Sequence, residues 1–278
     1  MHVEILGPLF VGNTGHDPDC APSAPKPRQL LALLALNANQ FVPTNTCIDE
    51  LWMADPPRSA VTTLRTYVMR IRRALQSAGA GERSPDGVLR TGQHGYQLFL
   101  DRTSLDLFRF TDQVDEGKRA LLSGDHRRGA ETLRNALSLW KGSPLVDVQV
   151  GPSLTAHQVR LQELRLSCIE LRVDAELRLG LHQELISELT GLTAEFPTHE
   201  NLHAQLMLAL FRSGRQAQAL LVYRQIRAVL ANELGIEPFR RLRQLHNAVL
   251  LADPALDPPC APSGGLPLTL DLVDSRTV

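Results

Sequence analysis

The sequence predicts a mainly α fold in two parts: a three-helix unit with short strands and a closing hairpin, then an all-α array of helix pairs. Three observations carry this. Residues 1–100 read as strands, three helices and a hairpin, and every periodic segment after Leu105 is helical. Gly180 and Gly214 stand 34 positions apart, each between two Leu/Ala-rich helices, and that spacing is the tetratricopeptide period. With 278 residues, the chain exceeds one typical domain, which favours two packed units.

Residues 3–11 are apolar and β-branched around Gly7-Pro8, which reads as two short strands with a turn between them. Residues 12–25 are loop. Lys26 to Asn39 carries a dense Leu/Ala run without glycine, a buried helix with Pro27 in its first turn. Thr44 is read as the N-cap of a helix through Trp52, its hydroxyl accepting from a free backbone N–H, and Asp55-Pro56-Pro57 as the stop. A third helix covers Ser59–Gln76, residues 79–87 are loop, and VLRTGQHGYQLFL is a β-hairpin. Strand, three helices and hairpin in that order make an N-terminal winged helix-turn-helix with a hairpin wing.

Helices follow at about 106–123, 125–140, 153–180, 182–195, 199–213, 215–234 and 238–251, punctuated by glycine and proline. They form a tetratricopeptide-like repeat domain. Residues 253–278, with five prolines and a Gly-Gly, show no helical period and are read as a disordered tail. The expected division is therefore 1–102, 103–252 and 253–278. On this reading the first unit closes its own core, so a 1–100 fragment is expected to fold and act alone.

The net charge of -1 gives no global sign of nucleic acid, but the average hides a basic helix. Arg58 to Gln76 contains Arg58, Arg65, Arg70, Arg72 and Arg73 and no acidic residue. At helical period Val61, Leu64, Val68, Ile71 and Leu75 form one stripe that faces the core, and Ser59, Thr62, Thr63, Thr66, Met69, Arg70 and Arg73 fall opposite. Arginine can bond guanine O6 and N7 together, and threonine offers a hydroxyl or a methyl, so the outer face suits a major groove. Arg65 and Arg72, at the margins of the stripe, are placed to meet phosphates. A solvated basic face is the plainer explanation of such a charge run; the hairpin that follows tips the balance. Its candidate contacts are Arg90, Thr91 and His94, with Tyr96 as an anchor.

Other chemistry is discounted on specific grounds. His199-Glu200-Asn201-Leu202-His203 matches H-E-x-x-H, but it opens a repeat helix just after Pro197 and no third-ligand pattern follows. Phosphate-binding glycine loops and a nucleophile elbow are missing from the sequence, so no enzymatic activity and no cofactor or metal are expected. Cys20, Cys47, Cys168 and Cys260 are scattered, as in a reducing compartment. No stretch is long and apolar enough to span a membrane, and no signal peptide is recognisable; a cytoplasmic, nucleoid-associated protein is expected. The alternatives are a repeat-based interaction protein whose winged helix binds protein, and a zinc hydrolase using His199 and His203.

Several separated stretches carry a resemblance over residues 1–251: ILGPL, RQLLALLALNAN, IDELW followed by ADPP, TLRTYVMRIRRAL, GYQL, LRNALSLWKG, LQELRLSCIELRVDAELRLG, QLMLALFRSGRQAQAL and ELGIEP. Together they resemble the Streptomyces antibiotic regulatory proteins, activators of secondary-metabolite gene clusters. The resemblance implies an OmpR/PhoB-type winged helix, of the sort found in two-component phosphorelay regulators, followed by a bacterial transcriptional activation domain of tetratricopeptide-like helices. It implies binding to direct repeats in double-stranded promoter DNA near the −35 element by two protomers. It also implies recruitment of RNA polymerase holoenzyme through sigma factor region 4, the beta flap and the alpha C-terminal domain. Carried over by position, Thr62, Thr66 and Arg70 would read bases, and Arg65, Tyr67, Arg72 and Arg73 would hold the backbone. Arg90, Thr91, His94 and Tyr96 would form the wing, and Trp52, Asp55 and Arg58 would belong to a polymerase-facing loop. One departure stands out: where the family hairpin often carries an arginine, this chain has Gly92.

Overall fold

A computed structural model describes residues 1–13, 18–79 and 87–257. The chain divides into two compact units, one formed by Met1–Gln113 with Asn135–Arg165 and the other by Val114–Arg134 with Leu166 onward. The packing therefore draws its line elsewhere than the sequence, which placed a boundary at 102/103.

In the first unit, β1 (His2–Glu4) and β2 (Phe10–Gly12) pair antiparallel. The helix α1 (Pro25–Leu36) follows and buries Leu30, Leu31, Leu33 and Leu34 completely. Next comes β3 (Phe41–Pro43), a strand the sequence reading passed over because three residues ending in proline make no period. It leads directly into α2 (Thr44–Trp52) and, after a loop, α3 (Ala60–Ser77). The hairpin of β4 (Leu89–Gly92) and β5 (Gly95–Leu98) completes a three-stranded sheet in the order β3-β5-β4. Residues 80–86 of the expected 79–87 loop lie outside the described residues.

Two local details differ from expectation. Thr44 is not the cap of α2 but its first residue, with Pro43 at the cap position. Its backbone N–H is satisfied by the His94 carbonyl at 2.8 Å, so the hairpin supplies what a cap side chain would have supplied. The same helix ends at Met53, whose φ of 53° breaks the helical path before the Asp-Pro-Pro run is reached.

Three carboxylates, two of them buried, tie this unit together. Glu50 on α2, almost fully buried, accepts from the backbone N–H groups of Gly151, Ser153 and Leu154 at 2.6, 2.8 and 3.2 Å. These are free donors at the start of α6 (Pro152–Arg178), where an anion also suits the helix dipole. Asp106, at the start of α4 (Asp106–Leu122), accepts from Ile5 and Leu6 at 2.9 Å each and from Leu107 at 2.8 Å. Burial pushes its carboxyl up to about 6 against the pull of those donors. Asp147 accepts from the Leu9 N–H at 2.8 Å and pairs with Arg28.

The second unit holds most of α5 (His126–Leu137), the C-terminal part of α6 and then α7 (His182–Glu195), α8 (Glu200–Arg212), α9 (Gln216–Leu234) and α10 (Arg240–Leu250). Gln205 of α8 donates to the Glu170 carbonyl and Arg212 to the Leu177 carbonyl, both across 35 positions. One constant offset means that α8 runs beside α6 in the same direction, as equivalent helices of successive repeats do. Gly180 and Gly214 end α6 and α8 at φ of 87° and 74°, a region where any other residue meets Cβ strain. Asp253 caps a short 3-10 turn over Pro254–Leu256, and Leu256 is buried. Residues 253–257 of the expected tail are thus packed structure; 258–278 lie outside the described residues.

Candidate nucleic-acid interface

The core face of α3 is Ala60, Leu64, Val68, Ile71 and Leu75, all buried. Val61, assigned to that stripe from sequence, is 46% exposed. A step of four back from Leu64 follows the helical repeat as well as a step of three, and the small Ala60, 5% exposed, takes the buried place. Val61 is left on the outer surface.

That surface is built as the periodicity implied. Thr62, Thr66 and Arg70 are exposed along one side, with Met69 and Arg73 beside them. Thr66 donates its hydroxyl to the Thr62 carbonyl at 3.2 Å, which leaves the oxygen outward as an acceptor. Among the described residues, Arg58, Arg65, Arg70 and Arg73 form no salt bridge. Four cations without carboxylate partners on and beside one helix leave a positive surface for an external anion.

Arg72 is different. Its Nε and Nη2 donate to the Leu89 carbonyl at 3.1 and 3.0 Å, and Nη2 also donates to the Thr91 hydroxyl at 2.8 Å. The guanidinium expected to meet a phosphate is occupied in holding the hairpin against α3. Tyr67 is half-buried and stacks on Trp52, with ring centroids 6.2 Å apart. The pair fastens the end of α2 to the middle of α3, and Trp52 is accordingly turned inward. Asp55 and Arg58 are exposed in the intervening loop, as is Met53 at 63%. Met53 was not singled out within this loop from sequence, because nothing in the sequence announces its positive φ.

In the wing, Tyr96 is buried at 5% exposure, opposite Val42 and Thr91 in the sheet, and burial pushes its phenol up. Successive side chains of β4 point to opposite sides. Thr91 meets Arg72 on α3, while the Arg90 guanidinium lies 4.6 Å from the Phe99 ring centre. His94 is exposed at the tip with Gln93. Gly92 and Gly95 have a shared reason: an added Cβ would stand 2.7 Å from the Phe41 ring and 2.2 Å from the Val42 carbonyl, respectively. The absent wing arginine thus coincides with a hairpin pressed against β3. Between helix and wing lies a polar crevice of about 420 Å³, lined by Thr44, Asn45, Val61, Arg65, Gln93 and His94 among others.

The H-E-x-x-H segment serves a helix end. His199 is the N-cap of α8, its Nδ1 accepting from the Leu202 N–H at 3.5 Å and its Nε2 lying 3.1 Å from Glu170. The His203 ring contacts the His199 carbonyl at 3.0 Å. Among the described residues, no group of three or more His, Cys, Asp or Glu side chains could hold a metal ion.

Comparison with known proteins identifies these parts. Residues 21–98 match the family described as transcriptional regulatory protein, C terminal, and 105–250 match the bacterial transcriptional activator domain. The regulatory protein DnrI of Streptomyces peucetius is 46% identical over 259 residues, covering 92% of this chain and 94% of that protein. The chain belongs to the Streptomyces antibiotic regulatory protein family. Another member, the regulatory protein AfsR of Streptomyces coelicolor, is 41% identical over 253 residues, 91% of this chain but 24% of that one. The structure of Mycobacterium tuberculosis EmbR, solved with a low-affinity phosphopeptide, superposes with a TM-score of 0.86 at 30% identity, over 99% of this chain and 68% of that one. This antibiotic regulatory protein is accordingly a DNA-binding transcriptional activator of regulatory rather than catalytic type, mostly helical with small antiparallel sheets. No helix among its described residues is long and apolar enough to cross a membrane.

Proposed function

We propose that this activator binds double-stranded promoter DNA with sequence specificity through the outer face of α3. The observation that carries the reading is that face itself: Thr62, Thr66 and Arg70 exposed opposite a fully buried stripe, among arginines that have no carboxylate partner among the described residues. Thr62, Thr66 and Arg70 read base edges; Arg65, Tyr67 and Arg73 meet the backbone, with His94 at the wing tip. Arg72, Thr91 and Tyr96 set the wing's position, and Arg90 braces it through Phe99. The target is a pair of direct repeats near the −35 element of a secondary-metabolite gene cluster, held by two protomers. Arg58, Asp55 and Met53, in the loop between α2 and α3, face RNA polymerase holoenzyme at sigma region 4, the beta flap and the alpha C-terminal domain, and Trp52 at the end of α2 anchors that loop through Tyr67. On this reading DNA binding lies in 1–102 and activation in 103–252.

Titration of the full chain against the promoter nearest its own gene, at several salt concentrations, tests this. Neutralising several phosphates makes affinity fall steeply with salt. Absence of any promoter shift at low salt from a folded protein refutes the reading and leaves a protein-binding winged helix in its place.

A further inference from the structure

Met69 interrupts the polar outer face of α3. It is 52% exposed, among the hydroxyls of Thr62 and Thr66 and the guanidiniums of Arg65, Arg70 and Arg73. At about 3.6 residues per turn, it falls about 40° from the direction opposite the buried stripe, nearer the centre of the outer face than Arg70 at about 60°. Thr66 stands three positions before it, Arg65 four before and Arg73 four after, so these residues surround it on the helix surface. Val61, also apolar and exposed, falls about 120° from that direction and lines the crevice beside the wing.

A single exposed apolar side chain is ordinary on a protein surface. At the centre of a face that enters a major groove it becomes selective. The base edges there present oxygens, ring nitrogens and amino groups, together with one apolar group, the 5-methyl of thymine. A thioether set against the polar edges strips them of water without replacing the hydrogen bonds, which costs affinity. Set against the methyl, it removes apolar area from water on both sides. Methionine suits the contact, since its unbranched, rotatable side chain reaches past the neighbouring threonines and adjusts to the position of the methyl.

We propose that Met69 is a specificity-determining residue that packs its thioether on the 5-methyl group of a thymine in the operator. The assignment rests on α3 entering the major groove of promoter DNA, and it adds apolar recognition of thymine to the hydrogen bonds of Thr62, Thr66 and Arg70.

Titration of the full chain against the promoter fragment nearest its own gene tests this, with deoxyuridine replacing the thymidines of the protected sequence one at a time. Uracil keeps every hydrogen-bonding group of thymine and lacks only the methyl. At the contacted thymine the unsubstituted protein should lose about fourfold in affinity, the worth of one buried methyl-sized group. Met69→Ala should bind the thymine fragment more weakly by at least that factor and show no further loss with uracil at that position. Met69→Leu, which keeps an apolar side chain, should retain the discrimination. Both substitutions lie on the exposed surface and leave the buried stripe of α3 intact. Equal affinity of the unsubstituted protein for the thymine fragment and every uracil fragment overturns the proposal. A loss of the same size in the unsubstituted protein and in Met69→Ala also overturns it, because another residue then reads the methyl. In both of those outcomes the thymine fragment is still bound, so DNA binding by α3 stands. Absence of binding to the thymine fragment at low salt overturns that reading and the role of Met69 with it.

Discussion

Replacing Arg72 with alanine separates a structural clamp from a phosphate contact. The substitution removes two charged donors on the Leu89 carbonyl and one on the Thr91 hydroxyl. A hydrogen bond from a charged group contributes about 1.5–3 kcal/mol. Two of the three share one acceptor and the site is only partly buried, so a total loss of about 1.5–3 kcal/mol is expected. Urea unfolding of the full chain should show that loss, and hydrogen exchange should rise in 87–98. Affinity for operator DNA should drop because the wing is no longer held, but the slope of log affinity against log salt should stay within a few tenths of the parent's. Arg73→Ala, a change at an exposed arginine on the same helix, should leave stability unchanged and lower that slope by roughly one, the signature of one lost phosphate contact. If Arg72→Ala keeps full stability and loses one unit of slope, the clamp assignment is wrong and Arg72 turns to DNA.

Three further substitutions probe other parts. Arg70→Ala should cost about 1–3 kcal/mol on the specific site and almost nothing on random sequence, as read by competition titration. Glu50→Ala leaves three backbone donors at the start of α6 without their acceptor, so unfolding free energy should fall by on the order of 3 kcal/mol. Glu50→Gln, which keeps one acceptor oxygen, should lose less. Asp106 carries a folded carboxyl raised to about 6, above its unfolded value, so the folded state binds more protons between about pH 4 and 6. Its contribution to stability is fully present below about pH 4 and is lost as pH rises through about 6. Asp106→Asn should flatten the stability profile over that interval, and an unchanged profile would refute the assignment.

The helices of the chain were legible because each buries one stripe. Bounds for α3 and for α7 to α10 follow from apolar spacing with Gly180, Gly214 and Gly235 as stops. Elements and contacts that depend on distant partners were not legible. The strand at Phe41–Pro43 exists because β5 lies beside it, and the N–H of Thr44 is served by a carbonyl fifty residues on. Val61 and Ala60 compete for one place, and the packing around the start of α3, not hydrophobicity, decides between them. Among the site residues, Thr62, Thr66, Arg70 and Arg73 stand where periodicity put them. Arg72 has equal charge and a neighbouring position, but its role follows from a hairpin whose approach no spacing encodes. Glu50 read as an ordinary helix carboxylate within IDELW, since its partners are a hundred residues away.

The carboxylates of Glu50, Asp106 and Asp147 bear on how this protein can be cut and recombined. Family boundaries suggest an exchangeable DNA-binding cassette ending near residue 98. A cut there strands Glu50 without the N–H groups of 151–154 and strips Ile5, Leu6 and Leu9 of their acceptors. Each orphaned buried group costs about 1–3 kcal/mol, against a whole-domain stability of about 5–15 kcal/mol. Swapping specificity between such activators by splicing at the sequence border therefore carries a penalty that point changes on α3 avoid. A chimera must bring residues 135–165 along with its donor's residues 1–113, so the two stretches are inherited as one piece although they are written apart.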